Sequence, residues 1–525
     1  MTIRRERKGR VTQSHPAGAF IIATIGGWAL SAVINGCAYF ASQPEINPDR
    51  YAPSAIGQQW HPKDTTSSYE PPPVSVESGE SAAGKRQPAE LNQAAPSAGA
   101  ETSGTSAAGA YDLASLIDLA MRNNPQERTA WEGARAAAAA YGSARAPYYP
   151  LITTESDNGY QRFQEQVPVE IGVVKQWTAN PTIELTYTLI DFGRRSANAA
   201  AARERLAAAG FSFNREIQDV VFSVEQAYYG LAAAQAAVTA AIQNLQYAQA
   251  DFESAGQRMN LGLATSPEYL LAKERVAQAE YDLASARLIV HDAQANLAVA
   301  AGVPANYPLP IQTLERQPLP SNLGADVDAL IEDARRERPD LAASMADVRT
   351  REAELLEAKA QWYPEVEFNG AYGSNIYDYT FNGPPTIDAI DPQYQALITL
   401  KWDLFTGFKR LNDVRAAQAQ SRAARAQVVS LELNAYAQVW QAYYQFQSSL
   451  TKYEYAQALI NAAQESYAAN SETYRQGLST IVELLTADRD LANARYTLIQ
   501  SRADLLTAAA AVAYASGSIT FKPQP

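Results

Sequence analysis

The sequence predicts a mainly helical, internally duplicated chain built from two long antiparallel coiled-coil hairpins and four β-strands. Three observations carry this expectation: an unbroken three-four spacing of apolar and Ala positions, the return of the same motifs 215 residues later, and apolar/polar alternation in one segment of each copy. The first spacing keeps one stripe of a helix against a neighbour, and the second alternation is the period of a strand.

From Ile217 the seam runs through Val220, Val224, Ala227, Leu231, Ala234 and Val238 and continues in the same steps to Phe252, Ala255 and Met259. Bulky residues hold one seam position and mostly Ala the other, so a facing helix can approach closely. After Asn260-Leu261-Gly262-Leu263 the rhythm resumes at Val276, Ala279, Leu283, Ala286, Val290, Ala293, Leu297 and Ala300. Two such helices joined by a short turn form a hairpin. A first helix starting near Arg194 would hold roughly 64 residues and be roughly 95 Å long.

The second copy repeats Gln226-Ala227-Tyr228-Tyr229 as Gln441-Ala442-Tyr443-Tyr444, Gly262-Leu263 as Gly477-Leu478, Thr265 as Thr480, Glu268 as Glu483 and Gly302 as Gly517. Its return seam runs from Leu491 through Ala494, Leu498, Ser501, Leu505, Ala508 and Val512 to Ala515. A constant offset over so long a stretch indicates duplication, and the period is too long for a solenoid. We therefore divide the chain into an export signal (1–36), a processed N-terminus with a flexible linker (37–110), a first structural repeat (111–324), a second repeat (325–517) and a short tail (518–525).

Composition narrows the function. The net charge of -13, with 19% charged residues, argues against a nucleic-acid partner. One Cys and three scattered His (His15, His61, His291) supply no metal cage, and no nucleophile, acid or base constellation points to an enzyme or a cofactor. The 29 Tyr exceed the 14 Phe and 7 Trp, an excess suited to interfaces or to a membrane-water belt.

Arg4, Arg5, Arg7, Lys8 and Arg10 precede an apolar run from Ala19 to Ile34, too short for a comfortable membrane span and typical of an export signal. The run ends at Ile34-Asn35-Gly36-Cys37, which resembles a bacterial lipobox with an atypical Asn35. By that resemblance Cys37 becomes an acylated N-terminus carrying a covalent lipid, and Ala38, in place of the Asp of inner-membrane retention, implies the outer membrane. Residues 42–110 are rich in Pro, Ser, Ala, Gly and Glu without a period, and they read as a flexible tether.

The first repeat opens with a short amphipathic helix through Leu113, Leu116, Ile117 and Ala120, halted at Asn123-Asn124-Pro125. A second helix runs from Gln126 to about Ala146. Leu330, Ile331, Ala334 and Pro339 open the second repeat in the same way. After Tyr149-Pro150 and Tyr363-Pro364 come strand pairs. Ile183, Leu185, Tyr187 and Leu189 alternate with Glu184, Thr186 and Thr188, and Ile398, Leu400, Trp402 and Leu404 alternate with Thr399, Lys401 and Asp403. Their partners are expected at about Tyr149 to Phe163 and Tyr363 to Tyr379, with exposed loops from Val167 to Gln176 and from Phe381 to Pro392. One apolar and one charged face suit either a half-buried sheet or a strand between lipid and a watery lumen. Four strands cannot close a barrel, which needs about eight, and open edges are not tolerated in lipid. Either the sheet lies outside a membrane or several chains share one barrel. The strands feed the long helices through Gly193-Arg194-Arg195 and Gly407-Phe408-Lys409-Arg410, where basic residues oppose the helix dipole and solvation at a membrane-proximal rim is one reason for them.

Taken in order and twice over, these parts resemble the TolC and OprM type of outer-membrane efflux channel, over about Tyr111 to Gly517, and the lipobox is similar to that of the lipoprotein branch. The resemblance implies a homotrimer with a twelve-stranded outer-membrane β-barrel continued by a twelve-helix coiled-coil α-barrel through the periplasm. It implies passive conduction, opened at the helical tips by a periplasmic adaptor and driven by an inner-membrane transporter. On the same basis Gly262, Leu263, Gly477 and Leu478 fall on adaptor-contacting turns. Glu483, with its repeat counterpart Glu268, matches an acidic position that narrows the periplasmic aperture, although Thr486 stands at the second acidic position. Tyr474 matches a gate-tethering Tyr, although Ser479 replaces its companion Arg. A periplasmic adaptor or coiled-coil scaffold without a pore is the alternative, disfavoured by two hairpins and four strands per chain.

Overall fold

A computed structural model describes residues 50–62, 111–167, 170–314, 317–324 and 326–519. The export signal and Cys37 lie outside the described residues, as do residues 63–110 of the linker. Each repeat has the same element order. The first holds α1 (Leu113–Asn123), α2 (Pro125–Ala144), β1 (Leu151–Val167), β2 (Glu170–Ile190), α3 (Arg194–Asn260) and α4 (Ser266–Ala300). The second holds α5 (Val327–Glu337), α6 (Pro339–Ala360), β3 (Glu365–Phe381), β4 (Thr386–Lys401), α7 (Lys409–Arg475) and α8 (Ile481–Ala515).

The short helices start alike because the same chemistry recurs. Asp112 and Asp326 cap α1 and α5 by accepting from Ser115 N and Ala329 N, both at 2.9 Å. Pro125 and Pro339 open α2 and α6 at a position where the missing N–H costs nothing. Helices α3 and α7 have 67 residues each, about 100 Å of rod. None of the seam positions from Ile217 to Met259 is exposed, and the returning seams at Val276 to Ala300 and Leu491 to Ala515 are covered as well.

The largest core lies midway along α3, where α1, α2, the end of α4 and residues 309–314 converge on Leu116, Phe213, Ile217, Val224, Leu231 and Leu297. Trp60 belongs to it, and Tyr51 and Ala52 pack in a smaller cluster with Ala138 and Leu206, which corrects the flexible-tether expectation for residues 50–62. Trp60 N donates to Asn214 Oδ1 at 2.7 Å while Asn214 Nδ2 donates to Trp60 O at 2.8 Å. The Trp60 ring lies over Gly210, where a Cβ would come within 2.4 Å of it. A composition poor in period hid this strap, because one Trp, one Asn and one Gly hold it and no repeat is involved.

Each return helix ends on a glycine in the left-handed region, Gly302 (φ +70) and Gly517 (φ +77). Both press on the junction between two short helices: a Cβ at Gly302 would lie 2.7 Å from the Asn123 and Asn124 backbone, and one at Gly517 2.9 Å from that of Glu337 and Arg338. Asn124 Nδ2 and Arg338 Nη1 then satisfy the last carbonyls, Ala300 O and Ala515 O, at 3.1 and 3.2 Å. Gly302→Ala is therefore expected to cost about 2–4 kcal/mol, strain and overpacking together, read as a lower midpoint in urea unfolding.

The four strands form one antiparallel sheet in the order β1-β2-β3-β4, so β1 and β4 are its edges. The strands have 17, 21, 17 and 16 residues, and the expected loops to Gln176 and Pro392 are corrected: most of both stretches is strand. Pro had suggested a loop, but Pro392 sits on an edge strand with one free side. Pro181 sits where the β2–β3 ladder is interrupted and Gly373 lets the backbones close up.

Register sorts the two faces. The rows Tyr187–Phe368–Ile398 and Ile183–Tyr372–Tyr394 lie on one face, and Thr188–Glu367–Thr399 and Glu184–Ala371–Gln395 on the other. Tyr394 and Ile398 are 86% and 72% exposed within one chain, so the apolar face is uncovered. Strand β4 ends at Lys401, so the expected alternation does not continue through Trp402 and Leu404.

The basic residues at the strand-to-helix turns answer the puzzle of their placement. Arg195 pairs with Asp191 at 3.0 Å and donates to Thr188 O at 2.6 Å and Pro147 O at 3.1 Å. Arg410 donates to Asp403 O and to Gln361 O and lies over the Trp362 ring. Arg194 pairs with Glu365 across the repeats. These side chains fasten each sheet corner to the helix before it, and that fastening, more than rim solvation, outweighs the dipole penalty. Among the described residues no helix is long and apolar enough to cross a membrane.

Candidate functional site

The hairpin tips gather the chemistry-bearing residues singled out in the sequence. Gly262 and Gly477 have φ of +74° and +77°, and each closes its turn with a bond from the next N–H to a carbonyl five residues back: Leu263 N to Arg258 O and Leu478 N to Thr473 O, both 2.8 Å. This closure turns Leu263 and Leu478 outward, 63% and 76% exposed. Glu483 lies three residues past Thr480 and forms a capping box with it, Thr480 N donating to Glu483 Oε2 at 3.2 Å and Glu483 N to Thr480 Oγ1 at 3.3 Å. Glu268 occupies the same place in α4, half-buried, without a side-chain bond from Thr265 to the helix. Ser479 accepts from Thr473 Oγ1 at 3.1 Å within its own turn.

Tyr474 is buried, and its hydroxyl has no hydrogen-bond partner among the described residues. An arginine nevertheless holds it. Arg258, from the other hairpin, lies 4.8 Å over its ring and donates to Tyr474 O at 2.9 Å and Arg475 O at 3.3 Å. Burial raises the Tyr474 hydroxyl above the usual tyrosine value, Glu268 adding to this and Arg258 opposing it.

Above the tip a buried polar cluster joins the two hairpins. Arg275 Nε of α4 pairs with Asp488 Oδ2 of α8 at 2.5 Å, both nearly inaccessible, and Asp488 Oδ1 is left without a hydrogen-bond partner among the described residues. The Tyr467 hydroxyl of α7 lies 3.3 and 3.4 Å from the two oxygens of Asp251 on α3. Two turns farther, Arg495 donates to Asn244 at 2.5 Å and covers the Tyr247 ring at 4.6 Å. Burial pushes Asp251 up to about 7, with the Asp488 carboxylate adding and Tyr467, Arg475 and Arg275 opposing. Burial also raises Asp488, against Arg275.

Sequence reasoning missed this cluster. The signal was present at Asp488, an acid on the apolar stripe formed by Ile481, Leu484 and Leu491, where a hydrophobic residue is expected. Arg258, Asp251, Tyr467 and Arg275 carried no such mark, because only the docking of one hairpin on the other brings them together.

Comparison with known proteins bears on both repeats. The model of the outer membrane efflux protein family matches residues 116–303 and 330–518. Protein CyaE of Bordetella pertussis is 30% identical over 325 residues, which are 60% of this chain and 65% of that protein, so the chain spans just under two thirds of that relative's length. Outer membrane protein OprJ of Pseudomonas aeruginosa is 25% identical over 62% of this chain and 67% of its own. The solved outer-membrane channel OprN superposes with a TM-score of 0.68 at 19% identity, over 77% of this chain and 89% of that one. With both halves matched in the same order as the two structural repeats, the chain belongs to the outer membrane efflux protein family.

Proposed function

We propose that this chain is one protomer of a passive homotrimeric outer-membrane channel, whose tips reach into the periplasm and are opened by an adaptor coupled to an inner-membrane transporter. The observation that carries the proposal is a contact made once and needed twice. Within the chain α8 packs on α3: Tyr514 stacks on Phe222 at 4.5 Å and donates to Asp219 at 2.6 Å. The equivalent packing of α4 on α7 is not formed to a comparable extent among the described residues. Leu270, Leu288 and Val299 on α4 are 56%, 61% and 71% exposed, while their counterparts Leu485 and Ala503 are buried and Tyr514 is half-buried. On α7, Leu433 and Leu459 are exposed where Gln218 is buried and Asn244 half-buried in α3. A neighbouring copy completes the pattern, and repetition of one heterologous contact closes a ring.

The sheet makes the same demand. Its edges β1 and β4 have no strand partner among the described residues, and one face carries apolar rows, so pooled sheets make a lipid-facing barrel with a polar interior. Three copies supply twelve strands and twelve long helices, as the family resemblance implies. The lipid on Cys37 anchors the assembly to the outer membrane, and the strap at 50–62 continues that anchor onto the body. Three copies each of Glu483 and Glu268 ring the periplasmic aperture with negative charge and favour cations until the tips splay. Leu263 and Leu478 offer the adaptor an apolar contact. Both halves belong to a channel family, which leaves the pore-less adaptor reading without support.

Electrical recording tests the proposal. Purified trimers in planar bilayers are expected to show ohmic steps of low conductance that prefer cations, and Glu483→Gln to weaken that preference. Well-folded trimers that insert without any conductance would refute it.

A further inference from the structure

We propose that Asp251, Asp488, Arg275 and Tyr467 form a proton-sensitive lock between the two hairpins of one chain, closed while Asp251 holds a proton and loosened when that proton passes to water. The inference rests on the reading of the hairpin tips as the closed end of a channel. Its geometry is independent of that reading. Four helices each contribute one side chain, and Asp251 and Asp488 are only 4% and 1% exposed.

The count of charges sets the behaviour. Two buried carboxylates share one guanidinium in contact, and that guanidinium is spent on Asp488 Oδ2. If both acids were ionised the cluster would hold a surplus negative charge away from water, which is costly. A proton on Asp251 removes it. Asp251 is the acid that takes the proton, because its only hydrogen-bond partner within the cluster is a neutral hydroxyl, at 3.3–3.4 Å.

The surrounding groups do not supply the missing charge in contact. On α7, Arg475 is exposed and acts on Asp251 only through its charge, opposing the rise. On α8, Arg489 is exposed, and Arg495 is committed to Asn244 and Tyr247. On α3, Arg258 is committed to Tyr474 and the carbonyl of Arg475. On α4, Arg275 is the only cation that enters the cluster.

Separation of the hairpins returns both acids to water and to ordinary carboxylate behaviour, so the closed state binds one proton more than the open one. A group whose closed-state value is raised to about 7 from 3.8 stabilises the closed state fully at low pH. That stabilisation falls about tenfold per pH unit between these two values and is level above the higher one. The lock is thus tight in acid and loose at neutral and alkaline pH.

Hydrogen exchange of the intact chain in detergent reads the lock without needing a pore. Rates in peptides spanning 244–260, 467–475 and 481–495, corrected for intrinsic chemistry, are expected to rise about tenfold per pH unit from pH 5 to about 7 and then level off. Peptides from 113–144 serve as the reference and stay flat. Asp251→Asn is expected to keep acid-level protection across the range. Tyr467→Phe, which removes the one bond favouring the charged acid, should extend the slope to higher pH. A flat wild-type profile, or a slope that survives in Asp251→Asn, overturns the inference. Conductance separates the two claims: a pore without the slope refutes the lock alone, and the slope without a pore refutes the channel alone.

Discussion

Leu288→Asp, combined with Leu433→Asp, is expected to leave the protomer folded and helical but unable to assemble. Both positions are open in a single chain, at 61% and 53% exposure, so neither substitution disturbs the core of the protomer. Their repeat counterparts, Ala503 and Gln218, are buried at the α3–α8 contact, which marks the face a second copy would cover in the proposed ring. Loss of one buried leucine removes about 1.5–3 kcal/mol at each contact, multiplied over every contact of a closed ring, and a carboxylate in its place adds a desolvation cost. Light scattering in detergent should report a monomer with an unchanged far-ultraviolet circular dichroism spectrum. Persistence of wild-type trimers at low protein concentration would show that this face is not the one that closes the ring.

Arg275→Ala is expected to open the tips without any partner present. It strands Asp488 beside Asp251 with no cation in contact, and breaking a buried pair from one side costs about 3–5 kcal/mol. That cost falls on the docking of one hairpin against the other, because Arg275 and Asp488 belong to different hairpins. The rest of the protomer is held by the core around Phe213 and Leu297, well removed along α3. Single-channel conductance should increase several-fold while the thermal transition of the helices moves little. Asp488→Asn in the same chain removes the stranded charge and should restore much of the closed behaviour. An Arg275→Ala channel that stays at wild-type conductance would place the constriction elsewhere, at the Glu483 turn or at Tyr474.

Much of the frame was legible before any coordinates. The seam from Ile217 to Met259 is periodic over many turns, and so long a pattern cannot be satisfied by anything but a helix with a continuous partner. Gly262, Gly302, Gly477 and Gly517 all lie in the left-handed region, as the turns they marked require. The strand ends were less legible. Pro181 and Pro392 argue for loops in isolation, and only their places at a ladder gap and on an edge strand make them tolerable. The strap at 50–62 was invisible because Trp60 lies at least 150 residues from its anchors Gly210 and Asn214, and the contact follows no period.

The candidate site divides along the same line. The turns at Leu263 and Leu478 are local, written in a few consecutive residues, and both were found; the capping box at Glu483 is equally local, but Glu483 was singled out only as an aperture acid. The cluster of Asp251, Arg275, Tyr467 and Asp488 spans four helices and both repeats. Its members are ordinary polar residues until burial changes their electrostatics.

The sequence by itself determined the period of the helices, the duplication and the order of elements, because those rest on spacing along the chain and each repeat carries its own copy. Tertiary structure alone decided which hairpin docks on which, which acids lose their water and which faces remain open for another copy. Those outcomes depend on distances between residues far apart in the chain, and in a duplicated protein two copies of one pattern leave open which contacts form within the protomer and which between protomers.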